Sequence, residues 1–195
     1  MAVARILFLK GYQVTVCIIS NKEFCRDNFS ESARLQYDIL NNIKVPIVTE
    51  LPLYSYDIIV DGIFGVGLNR NITGKTENII RTVNEWKSHK IALDIPSGIC
   101  GSTGKVYGVA FQADFTITFA FIKRGLCLYP GAEYAGNIIK KEIGITEKSF
   151  GEKPPAMFAL CSDIKEYLPK RNPAGHKGTF GKILLIAGSA SMGGA

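Results

Sequence analysis

The chain contains at residues 57–70 the stretch Asp57-Ile-Ile-Val-Asp61-Gly-Ile-Phe-Gly65-Val-Gly67-Leu-Asn-Arg70, which decides the fold. Its run Ile58-Ile59-Val60 is apolar without alternation and predicts a strand over Asp57 to Phe64, covered on both faces as in a parallel sheet. A carboxylate closes the strand, and the following glycines let the backbone approach a ligand or bind an anion. A tight turn that needs a positive φ at Gly65 or Gly67 is the alternative.

The sequence on either side of this stretch alternates between helix and strand patterns. Gly11 is placed to end a first helix as a C′ glycine, and Asn28 and Glu31 are spaced as a capping box that opens a second. This alternation implies right-handed crossovers and a doubly wound α/β domain. The predicted helices are Ala2–Lys10, Asn28–Asn42 and Thr76–Ser88, and the other predicted strands are Gln13–Ser20, Val45–Val48, Lys90–Leu93, Phe115–Phe119 and Asn137–Ile143.

The chain divides into one nearly whole domain and a shorter second part. Residues 1–150 are predicted to form a three-layer α/β/α Rossmann-like domain with a mostly parallel sheet. A linker over residues 151–176, with a short helix at Cys161–Pro169, leads to a fresh strand at Lys182–Ala187, so that residues 177–195 begin another α/β domain. Because the sequence opens inside a helix and stops after a strand, we expect it to be cut at both ends.

The composition is that of a globular protein, with 47% hydrophobic and 21% charged residues. The five cysteines form no C-x-x-C pair, which favours reduced thiols and a cytoplasmic location. Two histidines exclude a histidine-rich metal centre. Since no apolar run approaches the roughly 18 residues that span a bilayer, no membrane partner is expected.

The formal net charge of +6 lies mostly in the later part of the chain. From Phe121 to Lys182 there are 11 basic and 6 acidic residues. The densest points are only the pairs Lys123-Arg124, Lys140-Lys141 and Lys170-Arg171, whereas a nucleic-acid binder more often shows a longer basic run or a basic stripe with aromatics. The pattern favours a solvated basic face and no nucleic-acid partner.

Polar side chains follow two further predicted strands. Asp94-Ile-Pro-Ser97-Gly98 comes directly after Lys90–Leu93. Because ligands of such sheets sit at the carboxyl ends of strands, Asp61 and Asp94 should lie near each other at one edge. Two acids there suggest a cation site, a ribose contact or acid–base chemistry, and the alternative is that Asp94 caps its own turn.

A third motif is Ala113-Asp114-Phe-Thr116-Ile-Thr118-Phe119, followed by Lys123. The alternating threonines place hydroxyl groups on one face of a strand. Lys123 follows the strand end and could meet a phosphate, with an exposed surface lysine as the alternative.

These motifs together, in this order and at this close spacing, resemble the NAD(P)H-hydrate epimerase family over about Met1 to Ile145. Arg171 to Ala195, with Lys177-Gly-Thr-Phe-Gly181 and Ala187-Gly-Ser189, resembles the opening of the ribokinase-like ADP/ATP-dependent NAD(P)H-hydrate dehydratase domain. In bacteria the two are often fused in that order as one nicotinamide nucleotide repair enzyme.

The resemblance implies a substrate and a set of site residues. The substrate is NADH or NADPH with water added across a nicotinamide double bond, and the enzyme interconverts the R and S epimers at C6. The implied route is loss of hydroxide and return of water. Asp94 is implied to bind the nicotinamide end and to move the proton, with Lys123 on the substrate side. Asp61 and Ser97 are implied to ligate K⁺, and the substrate cradle is implied at Gly65, Val66, Gly67, Leu68, Asn69, Arg70 and Asn71.

Two family features do not occur in this sequence. The family's Asn-Asn-Gly-Gly-Asp-Gly loop is absent, and the dehydratase motifs that would use ADP or ATP lie beyond Ala195. We therefore expect residues 1–195 alone to be inactive. A non-catalytic RNA- or protein-binding module on the same fold is the alternative function, and a homo-oligomer is left open.

Overall fold

The computed structural model describes residues 1–20 and 25–152, together with residues 174–176, 178, 182 and 184. The chain divides into two units, Met1–Thr146 and Glu147–Ala195. All strands and α-helices described below lie in the first unit. The predicted linker 151–176 and domain start 177–195, including the helix Cys161–Pro169 and the strand Lys182–Ala187, lie almost entirely outside the described residues and stay predictions.

Helices are interspersed with parallel strands through the first unit, which confirms the α/β fold predicted from the sequence. The helices are α1 (Ala2–Leu9), α2 (Glu31–Asn42), α3 (Lys75–Glu85) and α4 (Gly131–Ala135), and the strands are β1 (Val16–Cys17), β2 (Ile47–Val48), β3 (Ile58–Asp61), β4 (His89–Leu93), β5 (Phe115–Phe119) and β6 (Asn137–Lys141).

The strands form two parallel sheets. Strands β1 and β2 pair with each other, and the other four pair in the order β3-β4-β5-β6. Strand β3 ends at Asp61 rather than at the predicted Phe64, because the Ile63 amide donates to the Asp61 carboxylate at 3.1 Å and the backbone turns there. The first strand of the four-stranded sheet therefore ends on the Asp61 carboxylate.

The helix boundaries confirm one sequence prediction and correct another. Gly11, with φ of +88°, follows the end of α1 as a C′ glycine. The predicted capping box is wrong, since Asn28 belongs to a 3₁₀ turn over Arg26–Asn28. Ser30 caps α2 instead, accepting from the Ala33 amide at 3.4 Å, because a cap must directly precede the first helical residue.

One face of the four-stranded sheet is buried and the other is partly exposed. Ile79, Ile80 and Val83 of α3 join Ala92 of β4 in one buried cluster. On the opposite face Ile58 is 55% exposed and Val60 38% exposed. The predicted burial of β3 on both faces is therefore wrong for that face, because an apolar run does not show whether another element covers each side of its strand.

Two further predictions from the sequence are reduced cysteines and the absence of a membrane-spanning helix. Cys17, Cys25, Cys100 and Cys127 are free cysteines, as expected, and Cys161 lies outside the described residues. Within the described part of the chain, no helix is long and apolar enough to cross a membrane.

Candidate active site

The carboxyl ends of β3, β4 and β5 bring the predicted polar residues to one edge of the sheet. Strands β3 and β4 run parallel with Asp61 opposite Ala92, and β4 and β5 run parallel with Leu93 opposite Ile117. Asp61 ends β3, and Asp94 directly follows β4. The prediction that the two acids share one edge is confirmed.

Asp61 is held by the turn that follows β4. It is only 3% exposed, and its Oδ2 accepts from the Ser97 amide at 2.7 Å. Its Oδ1 accepts from Ser97 Oγ at 2.7 Å and from the Ile63 amide at 3.1 Å. Burial raises the pKa of the Asp61 carboxyl above its ordinary value of 3.8, and the hydrogen bonds from Ser97 and Ile63 oppose that rise.

Within the described residues, the hydrogen-bond donors to this buried carboxylate are two backbone amides and the Ser97 hydroxyl, all of them neutral. Ser97 Oγ, on a residue 1% exposed, also accepts from the Phe64 amide at 2.9 Å and lies 3.3 Å from the Phe64 carbonyl oxygen. In the described part of the chain Asp61 forms no ion pair. A buried carboxylate without a cationic partner, among oxygen donors, has the chemistry that a hard cation prefers.

Asp94 occupies a different environment two residues beyond the position opposite Asp61. Its φ is +69°, a strained conformation for a non-glycine residue of the kind that clusters at functional sites. Its Oδ1 accepts from the Phe119 amide at 3.1 Å and from Thr118 Oγ1 at 3.4 Å. The alternative in which Asp94 caps its own turn is therefore wrong, because the carboxylate reaches across to the end of β5.

Lys123 completes the surroundings of Asp94. Its ammonium forms an ion pair with Asp94 Oδ1 and donates to Phe119 O at 2.8 Å and to Thr118 Oγ1 at 3.2 Å. The side chains of Lys123 and Asp94 are 21% and 24% exposed. The alternative of an exposed surface lysine is therefore wrong, whereas the predicted contact of Lys123 with substrate stays a prediction.

The loop that contains Gly65 and Gly67 does not need glycine for its backbone angles. Neither Gly65 nor Gly67 has a positive φ, so the alternative of a turn that demands glycine for its backbone angles is wrong. A Cβ at either position would have no atom within 4 Å. Neither the backbone nor the packing explains these two glycines, and both are exposed.

The second half of the loop borders a cavity of about 330 Å³. Leu68, Arg70 and Asn71 line it from the loop, and Phe64 lines it from the turn after β3. The cavity also reaches Thr73 and Thr76, at the start of α3. Val66 lies apart from this cavity, where its side chain faces Gly101.

Several residues at the carboxyl edge of the sheet could not be predicted from the sequence. The alternation of Thr116 and Thr118 was visible, but the contact of Thr118 with Asp94 was not. The backbone groups of Phe64 and Phe119 left no signal, because a main-chain donor depends on the path of the chain and not on the residue type. Gly98 is also required, since its φ is +101° and a Cβ there would lie 2.0 Å from Val109 O.

Comparisons with known proteins identify the family of this chain. The family described as YjeF-related protein N-terminus matches residues 1–125. The bifunctional NAD(P)H-hydrate repair enzyme Nnr of Thermofilum pendens is 31% identical, over all of this chain and 38% of that enzyme. An NAD(P)H-hydrate epimerase of Levilactobacillus brevis is 39% identical, over 74% of this chain and 66% of that protein.

A solved structure shows the same fold. The crystal structure of yeast ynu0, YNL200c, superposes with a TM-score of 0.59 at 18% identity, covering 80% of this chain and 67% of that one. The chain spans only 38% of the length of the bifunctional relative. These matches confirm the family predicted from the sequence, and the chain belongs to the family described as YjeF-related protein N-terminus.

Proposed function

We propose that this chain is the epimerase part of an NAD(P)H-hydrate repair enzyme, which in the protein as its gene encodes it interconverts the R and S forms of NADHX or NADPHX at C6. The observation that carries the proposal is the Asp94 carboxylate, which is partly exposed at the carboxyl edge of the sheet on a strained backbone. The relative of Levilactobacillus brevis bears the name of this activity, which supports the same reading for this chain.

The proposed reaction needs one group that handles protons at C6. The hydroxyl there leaves one face of the nicotinamide ring and water returns to the other, so a proton must be given to one oxygen and taken from the next. A positioned carboxylate contributes about 10²- to 10⁴-fold to such a step. Asp94 is the residue that we assign to this role, because Asp61 is only 3% exposed and a substrate has little access to it.

The loop from Gly65 to Asn71 is proposed to bind the substrate. Its two glycines have free space where a Cβ would lie, so a phosphate or ribose group can approach the backbone amides. The neighbouring cavity of about 330 Å³ gives room for part of a dinucleotide, and Arg70 adds a positive charge beside it. Arg70 and Asn71 are therefore the expected contacts to the anionic half of the substrate.

Asp61 and Ser97 are proposed to hold K⁺. The fit rests on a carboxylate that is 3% exposed and on the oxygens of Ser97 and Phe64 beside it. A cation bound there supplies a fixed positive charge close to the substrate edge and offsets the cost of burying an ionised Asp61. Ser97 Oγ, which now donates to Asp61, would turn its lone pairs toward that cation.

The remainder of the proposed function follows the bifunctional relative. Since that relative is named a bifunctional repair enzyme, we propose that residues 177–195 open a dehydratase part that uses ADP or ATP. We also propose a cytoplasmic enzyme, in keeping with its free cysteines. Both points concern parts or properties that lie beyond the described site.

The activity is tested with the protein as its gene encodes it and, in parallel, with residues 1–195. Each is incubated with R-NADHX, and the configuration at C6 is followed by NMR. For the protein as its gene encodes it we expect turnover above the spontaneous rate, and its loss in Asp94→Asn. Residues 1–195 alone, which do not contain the family's Asn-Asn-Gly-Gly-Asp-Gly loop, are expected to show no turnover above that rate. Asp57→Asn is the matched control, since Asp57 is an exposed carboxylate that precedes β3, away from the carboxyl edge.

Two outcomes would contradict the epimerase. Full activity in Asp94→Asn would remove the residue on which the proposal stands. RNA binding that falls steeply with salt, with no thermal shift on adding NADPH, would instead support the non-catalytic module.

A further inference from the structure

The inference concerns the pair of Lys123 and Asp94 and rests on the proposed epimerase function. All three contacts that Asp94 receives at its carboxylate end on one oxygen, Oδ1. They come from the Phe119 amide, Thr118 Oγ1 and the Lys123 ammonium. Within the described residues Asp94 Oδ2 has no hydrogen-bond partner, so one oxygen is fixed and the other is open to a ligand.

The contacts of Lys123 show where its own hydrogen-bonding capacity is used. A lysine ammonium has three donors and no acceptor. Its three partners are Asp94 Oδ1, Phe119 O at 2.8 Å and Thr118 Oγ1 at 3.2 Å. No donor is left for a substrate phosphate or ribose, so the lysine is engaged with the protein itself.

The other charged groups at this edge are placed differently. From β6, Lys140 and Lys141 are exposed and lie opposite Thr118 and Phe119. From β3, Asp61 lies opposite Ala92, two residues before Asp94, and from the loop after β5 only Lys123 forms an ion pair with Asp94 among the described residues. Lys123 is therefore the cation that acts on the Asp94 carboxylate directly.

We propose that Lys123 is a positioning residue, which fixes Asp94 Oδ1 and thereby presents Oδ2 to the C6 oxygen of the substrate for proton transfer. The ammonium reaches Asp94 Oδ1 from the loop after β5, and its bonds to Phe119 O and Thr118 Oγ1 fix the ammonium itself at the strand end. Phe119 and Thr118 fix the rotation of the group. Asp94 gives a proton from Oδ2 to the hydroxyl that leaves C6 and takes one back from the water that returns, so the carboxyl group ends the cycle as it began.

The test compares Lys123→Met, Lys123→Arg and Lys140→Met in the protein as its gene encodes it, with R-NADHX as substrate. Lys123→Met should lower kcat by about 10- to 100-fold, the effect of losing one charged hydrogen bond. KM should change little, because no Lys123 donor is left for the substrate. Lys123→Arg should restore part of the rate, and Lys140→Met, which removes an exposed charge from the same edge, should change neither kcat nor KM.

Three results would overturn the assignment. A raised KM with unchanged kcat would place Lys123 on the substrate. A lower kcat that Lys123→Arg does not restore, together with a fall in Tm, would make the lysine merely structural, and an unchanged kcat in Lys123→Met would mean that Phe119 and Thr118 position Asp94 without it. Failure of the proposed function itself looks different, because then the wild-type protein shows no turnover or Asp94→Asn keeps it.

Discussion

The ends of β3 and β4 carry the same residue type in two opposed environments. Asp61 is 3% exposed and is bonded to neutral donors of Ser97 and Ile63. The Asp94 side chain is 24% exposed and is paired with the Lys123 ammonium. Neighbouring strand ends thus give one carboxylate that lacks a cation and one that has it, and such separation of environments is how paired acids acquire different roles.

The largest effect should come from removing the charge at the end of β4. Asp94→Asn keeps the size of the side chain, so kcat/KM for epimerisation should fall by about 10²- to 10⁴-fold with little change in Tm, because the residue is partly exposed. The configuration at C6 in quenched reactions measures the change in kcat/KM, and a thermal melt measures the change in Tm. A large drop in Tm would instead make Asp94 a structural residue.

The turn that follows β4 and contacts Asp61 through Ser97 should be the next most sensitive to substitution. In Gly98→Ala the Cβ would meet Val109 O at 2.0 Å on a backbone with φ of +101°. We expect a loss of about 2–5 kcal/mol of unfolding free energy, measured by urea denaturation. Gly65→Ala is the control and should cost little stability, since its Cβ would have no atom within 4 Å.

Ser97→Ala measures how much the stability of the buried site around Asp61 depends on the Ser97 hydroxyl. Ser97 Oγ donates to Asp61 at 2.7 Å and accepts from the Phe64 amide at 2.9 Å, so its loss leaves buried polar groups unpaired. The expected cost is about 1–3 kcal/mol in urea denaturation. Ser102→Ala, at an exposed serine further along the same segment, should cost far less, and equal losses would contradict the role given to Ser97.

A smaller effect is expected in the pH dependence of the unfolding free energy, to which the buried Asp61 contributes. Burial raises the pKa of Asp61 above 3.8, so the folded protein binds this proton more tightly than the unfolded chain does. Its contribution to stability is full below about pH 3.8 and is lost as pH rises through the folded-state value. The difference in unfolding free energy between wild type and Asp61→Asn, followed across pH, should therefore turn against the wild type as pH rises.

Added K⁺ should reverse that trend at neutral pH. A cation that binds the folded state only adds RT ln(1 + [L]/Kd), so KCl should raise Tm of the wild type more than tetramethylammonium chloride of equal ionic strength. Asp61→Asn should remove the difference. An identical response of both proteins to both salts would argue against a cation at Asp61.

The smallest effect should come from Thr118→Val. Thr118 is fully buried, and its contact with Asp94 Oδ1 is long at 3.4 Å. Lys123 and the Phe119 amide still hold that oxygen, so kcat should fall by only about 2- to 10-fold, the effect of one neutral hydrogen bond. A loss as large as that of Asp94→Asn would mean that the threonine, rather than the lysine, sets the carboxylate.

Much of this edge could be predicted from residue types and spacing. The motifs after Val60 and Leu93 placed Asp61 and Asp94 at one end of a parallel sheet, because parallel neighbours end at the same edge. The family could also be predicted from the order of those motifs. The burial of β3 could not be predicted in this way. Ile58, which is 55% exposed, and Ile59 belong to one apolar run but face opposite sides of the sheet.

The sequence by itself determined the alternation of helices and strands, the family, and the two carboxylates that close neighbouring strands. Those features depend on local pattern, which is read within one element or one turn. Only the tertiary structure decided that Asp61 is buried against Ser97, 36 residues away, and that Asp94 receives Lys123, 29 residues away. The charge state that a carboxyl group favours depends on solvent access and on the cations beside it, and both are set by chain segments that meet only after folding.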